Sequence, residues 1–323
     1  MVRLKDVAEK AGVSISTVSK FLSGKGSVSS PVQERIHQAM ASLGYEGHQV
    51  WKRSKGLKVV GVIIPDIENP FFSSLVKSLE FLLFRYGYFL LLCNTENNPE
   101  LEENFIYYLS QSKARGVILV PSTSERRSRL LDTLPLLLLD RSIEGTELPT
   151  VTTNHYQGSK IATSYLIRKG RQRIAFLGGR KGVDVYQKRL QGYSEGLAEN
   201  GLQVNPALIV EGDFSFQGGY QAVEMLFERR ESFDAIFAAN DLIALGAIER
   251  LKEGGIGVPQ DVAVIGFDDI WLSRLSHPRL TTVRQPVYEL CKEAVTVLFD
   301  LVDKGVRANS KVLEPQLVIR ESC

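Results

Sequence analysis

The sequence predicts an all-α helix-turn-helix headpiece joined to a two-lobed α/β body with parallel sheets. Three observations carry this. The first 45 residues hold three short amphipathic helical patterns, residues 46–57 form a polar, basic connector, and from residue 58 apolar strands alternate with amphipathic helices.

In the first segment Leu4, Val7, Ala8 and Ala11 fall at i, i+3, i+4 and i+7, and Gly12 breaks the run. Ser14 can cap a second helix with Val18 and Leu22 on one face. Ile36, Ala39, Met40 and Leu43 give a third helix its apolar stripe, closed by Gly44. Two helices joined through a glycine turn, with a third to bury their inner faces, make a helix-turn-helix. Its second helix then presents Ile15, Ser16, Ser19 and Lys20 to solvent, side chains suited to a DNA groove. The pattern alone also fits any small three-helix bundle.

In the body the strand candidates are residues 59–64, 89–93, 116–120, 136–139, 174–177, 207–211, 235–238 and 262–266. Fully apolar strands separated by helices imply parallel sheets covered on both faces. Some 265 residues is long for one such sheet, so two lobes with a ligand cleft between them is the natural arrangement. Asp66, Asp140-Arg141, Asn240-Asp241 and Asp268-Asp269 sit at strand ends, where open α/β sheets bind ligands.

Composition limits the function classes. The 323 residues are 44% hydrophobic and 24% charged, ordinary for a globular protein. No apolar run approaches the roughly 18 residues of a membrane span, and the charged N-terminus precedes no apolar signal segment. Cys93, Cys291 and Cys323 have neither metal spacing nor an even disulfide count, which fits a reducing cytoplasm. Net charge is +2, yet residues 1–55 carry nine Lys/Arg against four Asp/Glu. A basic head on a mildly acidic body suits a DNA-binding head.

Catalytic signatures are missing: there is no G-x-S-x-G, Walker loop, H-E-x-x-H or G-x-G-x-x-G. His37, His48, His155 and His277 pair recognisably with no nucleophile. Residues 178–182 (Gly-Gly-Arg-Lys-Gly) read as a strand-to-helix turn before a phosphate cradle. Asp268-Asp269 lacks a third metal ligand. No enzyme activity, metal or cofactor is expected.

The run Leu4-Lys5-Asp6-Val7-Ala8-x-x-Ala11-Gly12-Val13-Ser14-x-Ser16-Thr17-Val18-Ser19-Lys20 closely resembles the headpiece of the lactose-repressor/galactose-repressor family, and the similarity continues through Val28-Ser29 and Leu43-Gly44-Tyr45. The body matches at 61–72 (Gly-Val-Ile-Ile-Pro-Asp-Ile-x-Asn-Pro-Phe-Phe), Asp140-Arg141, Ala239-Asn240-Asp241, Gly266-Phe267-Asp268-Asp269, 280–286 (Leu-Thr-Thr-Val-x-Gln-Pro) and 317–322. The match runs over nearly the whole chain.

This resemblance implies a transcription regulator of a sugar-utilisation operon, a repressor working as a homodimer on double-stranded operator DNA. The headpiece would be 1–46, the hinge 47–57, and a periplasmic-binding-protein-like effector body 58–323. Within the body it implies an N-lobe of about 58–155 and 284–316 and a C-lobe of about 156–283 and 317–323. Ile15, Ser16 and Lys20 take base-reading positions, while Ser14, Thr17 and Ser29 match phosphate contacts. The cleft set is Asn69, Phe71, Phe72, Asp140, Arg141, Arg189, Phe214, Asn240, Asp268 and Gln285, suited to a small polar effector, a sugar or derivative: carboxylates and amides meet vicinal hydroxyls and rings cover apolar sugar faces. Asp241 and Asp269 match structural positions.

Two departures stand out. The family often places a cleft arginine five residues before the glycine matching Gly192; here Gln187 takes that ligand-binding position, with Arg189 nearby, which points to an effector that is neutral or carries its own cation or donor-rich group. In the hinge Gly47, His48 and Ser54 replace a usual proline, asparagine and leucine. Trp51, flanked by Lys52, then becomes the candidate wedge into the operator minor groove, the alternative being that it packs against protein. A sugar-transport component and a sugar-modifying enzyme are the rivals. The first would need a signal peptide and no headpiece, the second a catalytic set.

Overall fold

The computed structural model describes residues 3–23, 28–43, 58–112, 114–125, 131, 133–304 and 309–323. The chain divides into two compact units, Met1–Leu57 and Lys58–Cys323.

Among the described residues the first unit has three helices, α1 (Leu4–Ala11), α2 (Ile15–Ser23) and α3 (Ser30–Leu43). Val7, Ala8, Ala11, Val18, Ile36 and Ala39 form its core, with Leu4, Met40 and Leu43 partly buried against it. Gly12 closes α1 in the left-handed region at φ 63°, which glycine adopts without the Cβ penalty. Its N–H reaches the carbonyls of Ala8 and Glu9. Ser14 then starts α2, its Oγ accepting from the Thr17 N–H at 3.1 Å. The helix-turn-helix expected from the sequence is formed.

The second unit holds two six-stranded sheets. The first has the order β11-β5-β4-β3-β1-β2, drawn from β1 (Val59–Ile64), β2 (Phe89–Asn94), β3 (Gly116–Leu119), β4 (Leu136–Leu139), β5 (Thr150–Thr153) and β11 (Lys311–Leu313), all parallel. The second has the order β12-β10-β9-β8-β6-β7, drawn from β6 (Ile174–Leu177), β7 (Ile209–Val210), β8 (Ala235–Ala238), β9 (Ala263–Asp268), β10 (Thr281–Arg284) and β12 (Gln316–Val318). Only β12 runs antiparallel to its neighbour in this sheet. Helices α4 (Pro70–Arg85), α5 (Pro99–Gln111) and α10 (Val287–Lys304) accompany the first sheet, and α6 (His155–Arg168), α7 (Asp184–Glu199), α8 (Phe216–Glu228) and α9 (Asp241–Glu253) the second. The chain therefore passes between lobes three times: after β5, after β10, and between β11 and β12.

Several details depart from the sequence expectations. Residues 207–211 were expected as a strand, but only Ile209–Val210 pair; Pro206 has no N–H to donate to a ladder, and a 3-10 turn at Pro206–Leu208 takes the start, capped by Asn205. Strands β5 and β10 escaped a hydrophobic search because both are rich in threonine, yet Thr152, Thr153, Thr281 and Thr282 are buried. Arg284 and Gln316 belong to the second sheet, so the lobe exchanges fall a residue or so from 284 and 316.

Candidate functional site

Strand ends from both lobes converge on one chamber. Asn69 follows β1 and caps α4, its Oδ1 accepting from Phe71 N–H at 3.0 Å, while Pro70 needs no acceptor at the first helical position. That cap sets Phe71 and Phe72 into the chamber wall, buried and edge-to-face with ring centres 5.3 Å apart. At the end of β4, Asp140 is left-handed (φ 66°), which turns Asp140 and Arg141 inward. Arg141 donates through Nη1 to Pro121 O at 2.9 Å, and its guanidinium lies 5.2 Å from the Phe72 ring centre and 5.8 Å from that of Phe214.

From the other lobe come Arg189 on α7, Phe214 before α8, Asn240 after β8 and Asp268 at the end of β9. Arg189 lies over the Phe267 ring at 3.8 Å, donates through Nη1 to Ala239 O, and approaches Asp268 Oδ1 within 3.5 Å. Asn240 caps α9, its Oδ1 accepting from Ile243 N–H at 2.8 Å and its Nδ2 donating to Phe214 O at 3.2 Å. One amide hydrogen is left for a ligand. Gln285, just past the second crossover, donates to Asp268 Oδ1 at 2.8 Å.

The inner chamber is lined by nine residues expected from the sequence (Asn69, Phe71, Phe72, Asp140, Arg141, Arg189, Phe214, Asn240, Asp268) and by Val185. An outer chamber shares Asn69, Phe72, Arg141 and Phe214 with it and adds Asp66, Asn97, Arg180, Asp213 and Ser215. Two expected residues stand elsewhere. Gln285 lies behind Asp268 and steadies it. Gln187 is exposed on α7 and leaves the site, because one helical turn cannot point residues 187 and 189 the same way. The buried cleft arginine is Arg189, so the inference of a neutral effector from Gln187 falls with it.

The electrostatics are compensated. Burial alone would raise the Asp140 pKa, but His155, Arg141 and Arg189 outweigh it and hold it below the usual carboxylate value. Asp268 is pushed up to about 7 by burial, against the pull of Arg189 and Gln285. Asp140 Oδ1, Arg141 Nε and Arg189 Nε are buried with no hydrogen-bond partner among the described residues, an arrangement for holding a polar ligand. Asp241 and Asp269 are structural: Asp241 accepts from Ile270 N–H at 2.8 Å, and Asp269 takes Arg284 at 2.6 Å and Arg320.

Sequence reasoning missed His155, the first residue of α6, because it pairs with no nucleophile in the sequence. It is buried against Asp140 and Arg189. It also missed the Ser142–Asp184 contact, in which Ser142 N–H donates to Asp184 Oδ2 at 3.1 Å across the lobes. Residues 178–182 form the expected turn, whose Gly182 O accepts from Ser124 N–H at 2.9 Å.

In the first unit Ile15, Ser16, Ser19 and Lys20 are exposed along α2 and Ser29 is exposed before α3. Ser14, Ser16 and Thr17 share a hydroxyl chain, Ser14 Oγ lying 2.7 Å from Ser16 Oγ and 2.8 Å from Thr17 Oγ1. Trp51, Lys52 and the hinge substitutions lie outside the described residues. Among the described residues no helix is long and apolar enough to cross a membrane.

Comparison with known proteins agrees with both units. The family model described as bacterial regulatory proteins, lacI family, matches residues 3–47, and the periplasmic binding protein-like domain matches 163–323. The chain is 34% identical to the HTH-type transcriptional repressor PurR of Histophilus somni (strain 129Pt), covering 100% of this chain and 99% of that one. It is 33% identical to the ribose operon repressor of Halalkalibacterium halodurans, covering 100% and 97%. Among solved structures it resembles a transcriptional regulator CelR–cellobiose complex (TM-score 0.76, 29% identity, 100% of both chains). It also resembles the Lac repressor bound to ONPG in a repressed state (TM-score 0.78, 28% identity, 100% and 99%). The relatives are repressors and not enzymes, and this chain belongs to the lacI family of bacterial regulatory proteins, transcription regulators that join a helix-turn-helix unit to an effector-binding body.

Proposed function

We propose that this regulator is a cytoplasmic homodimeric repressor of a sugar-utilisation operon, and that its effector is a neutral monosaccharide held between the two lobes. The observation that carries the effector class is the charge balance of the inner chamber. Asp140 and Asp268 face Arg141 and Arg189, while three phenylalanine rings supply apolar faces. A neutral polyol satisfies the orphaned acceptors and donors without leaving a net buried charge; a phosphate or uronate would add one.

Operator contact falls to Ile15, Ser16 and Lys20 for bases and to Ser14, Thr17 and Ser29 for phosphates, with Trp51 and Lys52 as hinge contacts. Dimerisation is supported by the edge strand β2, where Leu91 and Leu92 are exposed, and by Phe81 and Phe84 exposed on the adjoining α4. An uncovered apolar edge of this kind is otherwise a liability. Effector binding stabilises one lobe arrangement, and the dimer passes that change to half-site recognition with a coupling of ~1–3 kcal/mol.

Titration calorimetry of the full chain against D-ribose, other neutral pentoses and hexoses, and D-ribose 5-phosphate tests the effector class. A neutral sugar should bind best and alter operator binding in a gel-shift assay. Tightest binding by the sugar phosphate or by a uronate would refute it.

A further inference from the structure

We propose that His155 is a positioning residue of the effector site: a neutral imidazole that ties the Arg189 guanidinium of one lobe to the Asp140 turn of the other. The inference rests on the proposed effector site. His155 is the first residue of α6, reached immediately after the chain leaves β5 at the first crossover. Its side chain is wholly buried. Arg189 Nη2 lies 3.1 Å from His155 Nδ1, and His155 Nε2 lies 3.2 Å from the Asp140 carbonyl oxygen and 3.4 Å from Asp140 Oδ1.

Chemistry fixes the proton. A guanidinium has only donors, so Nδ1 must present its lone pair, and the ring hydrogen therefore sits on Nε2, where it is donated to Asp140. A second proton on Nδ1 would face Arg189 donor to donor. Burial, and then the charge of Arg189, both disfavour that protonated form.

Packing leaves this bridge little freedom. The His155 ring centre is 5.7 Å from that of Phe267, the same ring that Arg189 covers. A Cβ at Gly192, one turn beyond Arg189, would run into the Tyr156 carbonyl oxygen, so glycine lets α7 approach the start of α6. Arg189 is thus held by Ala239 O on one nitrogen and His155 on another, which leaves its buried Nε without a protein partner. Asp140 O also accepts from Thr152 Oγ1 at 2.6 Å, which anchors the far end of the bridge. Because its ends belong to different lobes, the bridge ties the aim of Arg189 to the lobe arrangement.

The test uses the full chain. Histidine ¹⁵N NMR, with the His155 signals assigned by His155→Gln, should give a pyridine-type Nδ1 and a pyrrole-type Nε2 at neutral pH. His155→Leu should weaken the neutral monosaccharide that binds wild type best by about ten-fold or more, as expected for a buried charged donor left unpaired. His155→Gln keeps an acceptor for Arg189 and a donor for Asp140, and should recover most of that affinity whatever either variant does to melting temperature. A protonated Nδ1 would overturn the proposal, as would His155→Leu binding like wild type or His155→Gln losing as much as His155→Leu. If His155→Leu does not fold, the ring signals and a His155→Gln affinity within a few-fold of wild type decide. If no monosaccharide binds wild type, the sugar reading fails, and the ring signals alone still decide for or against the bridge.

Discussion

In the proposed effector site Asp268 should make binding depend on pH, tighter at higher pH. Its carboxyl is buried, accepts from Gln285, and is pushed up to about 7 from the ordinary 3.8. Between those values the folded chain keeps a proton that the unfolded chain has lost, so effector-free stability falls as pH rises through the window. Effector binding runs the opposite way. A sugar hydroxyl donating to Asp268 favours the anion, so binding requires the ionised form and expels the proton. With a midpoint near 7, roughly a tenth of the sites are ionised at pH 6 and nine-tenths at pH 8, which makes affinity about ten-fold higher at pH 8. Asp140 is held below the usual carboxylate range, so it does not supply this slope. Calorimetry at pH 6 and 8, in buffers of different ionisation enthalpy, should show about one proton released at pH 6 and almost none at pH 8. Asp268→Asn should bind weakly and without this slope. Equal wild-type affinity at both pH values, or an unchanged slope in Asp268→Asn, would refute the reasoning.

Two further outcomes follow from the proposed DNA and dimer surfaces. Lys20→Ala should weaken a preferred operator by ~1–3 kcal/mol and random DNA by less in gel-shift titration, because a base contact carries specificity and a phosphate contact does not; equal losses on both would make Lys20 a phosphate contact. Leu91→Glu puts a charge on the exposed apolar edge of the first sheet and should yield monomers by sedimentation equilibrium, with operator affinity reduced and sugar affinity retained. A persistent dimer would move the interface elsewhere.

The parts of the fold that follow from local rules are legible in the amino-acid sequence. The spacing of Leu4, Val7, Ala8 and Ala11, the break at Gly12 and the cap at Ser14 define α1 and α2 because helix periodicity and capping are encoded within a few residues. Apolar runs such as residues 59–64 and 136–139 announce buried parallel strands in the same way. Matched motifs extended this to seven chamber residues, Asn69, Phe71, Phe72, Asp140, Arg141, Asn240 and Asp268, since motif positions fix which strand end carries which side chain. Other features depend on packing between distant segments. The threonine-rich β5 and β10 are strands because their neighbours bury them, which no local hydrophobic count can register. Gln187 and Arg189 differ by two positions, and helical rotation together with the approach of α6 at Gly192 buries one and exposes the other. His155 joins Asp140 and Arg189 from 15 and 34 residues away. Pairings at that range arise when three crossovers bring two sheets together, and hydrogen-bond partners chosen by such packing leave no local pattern to read.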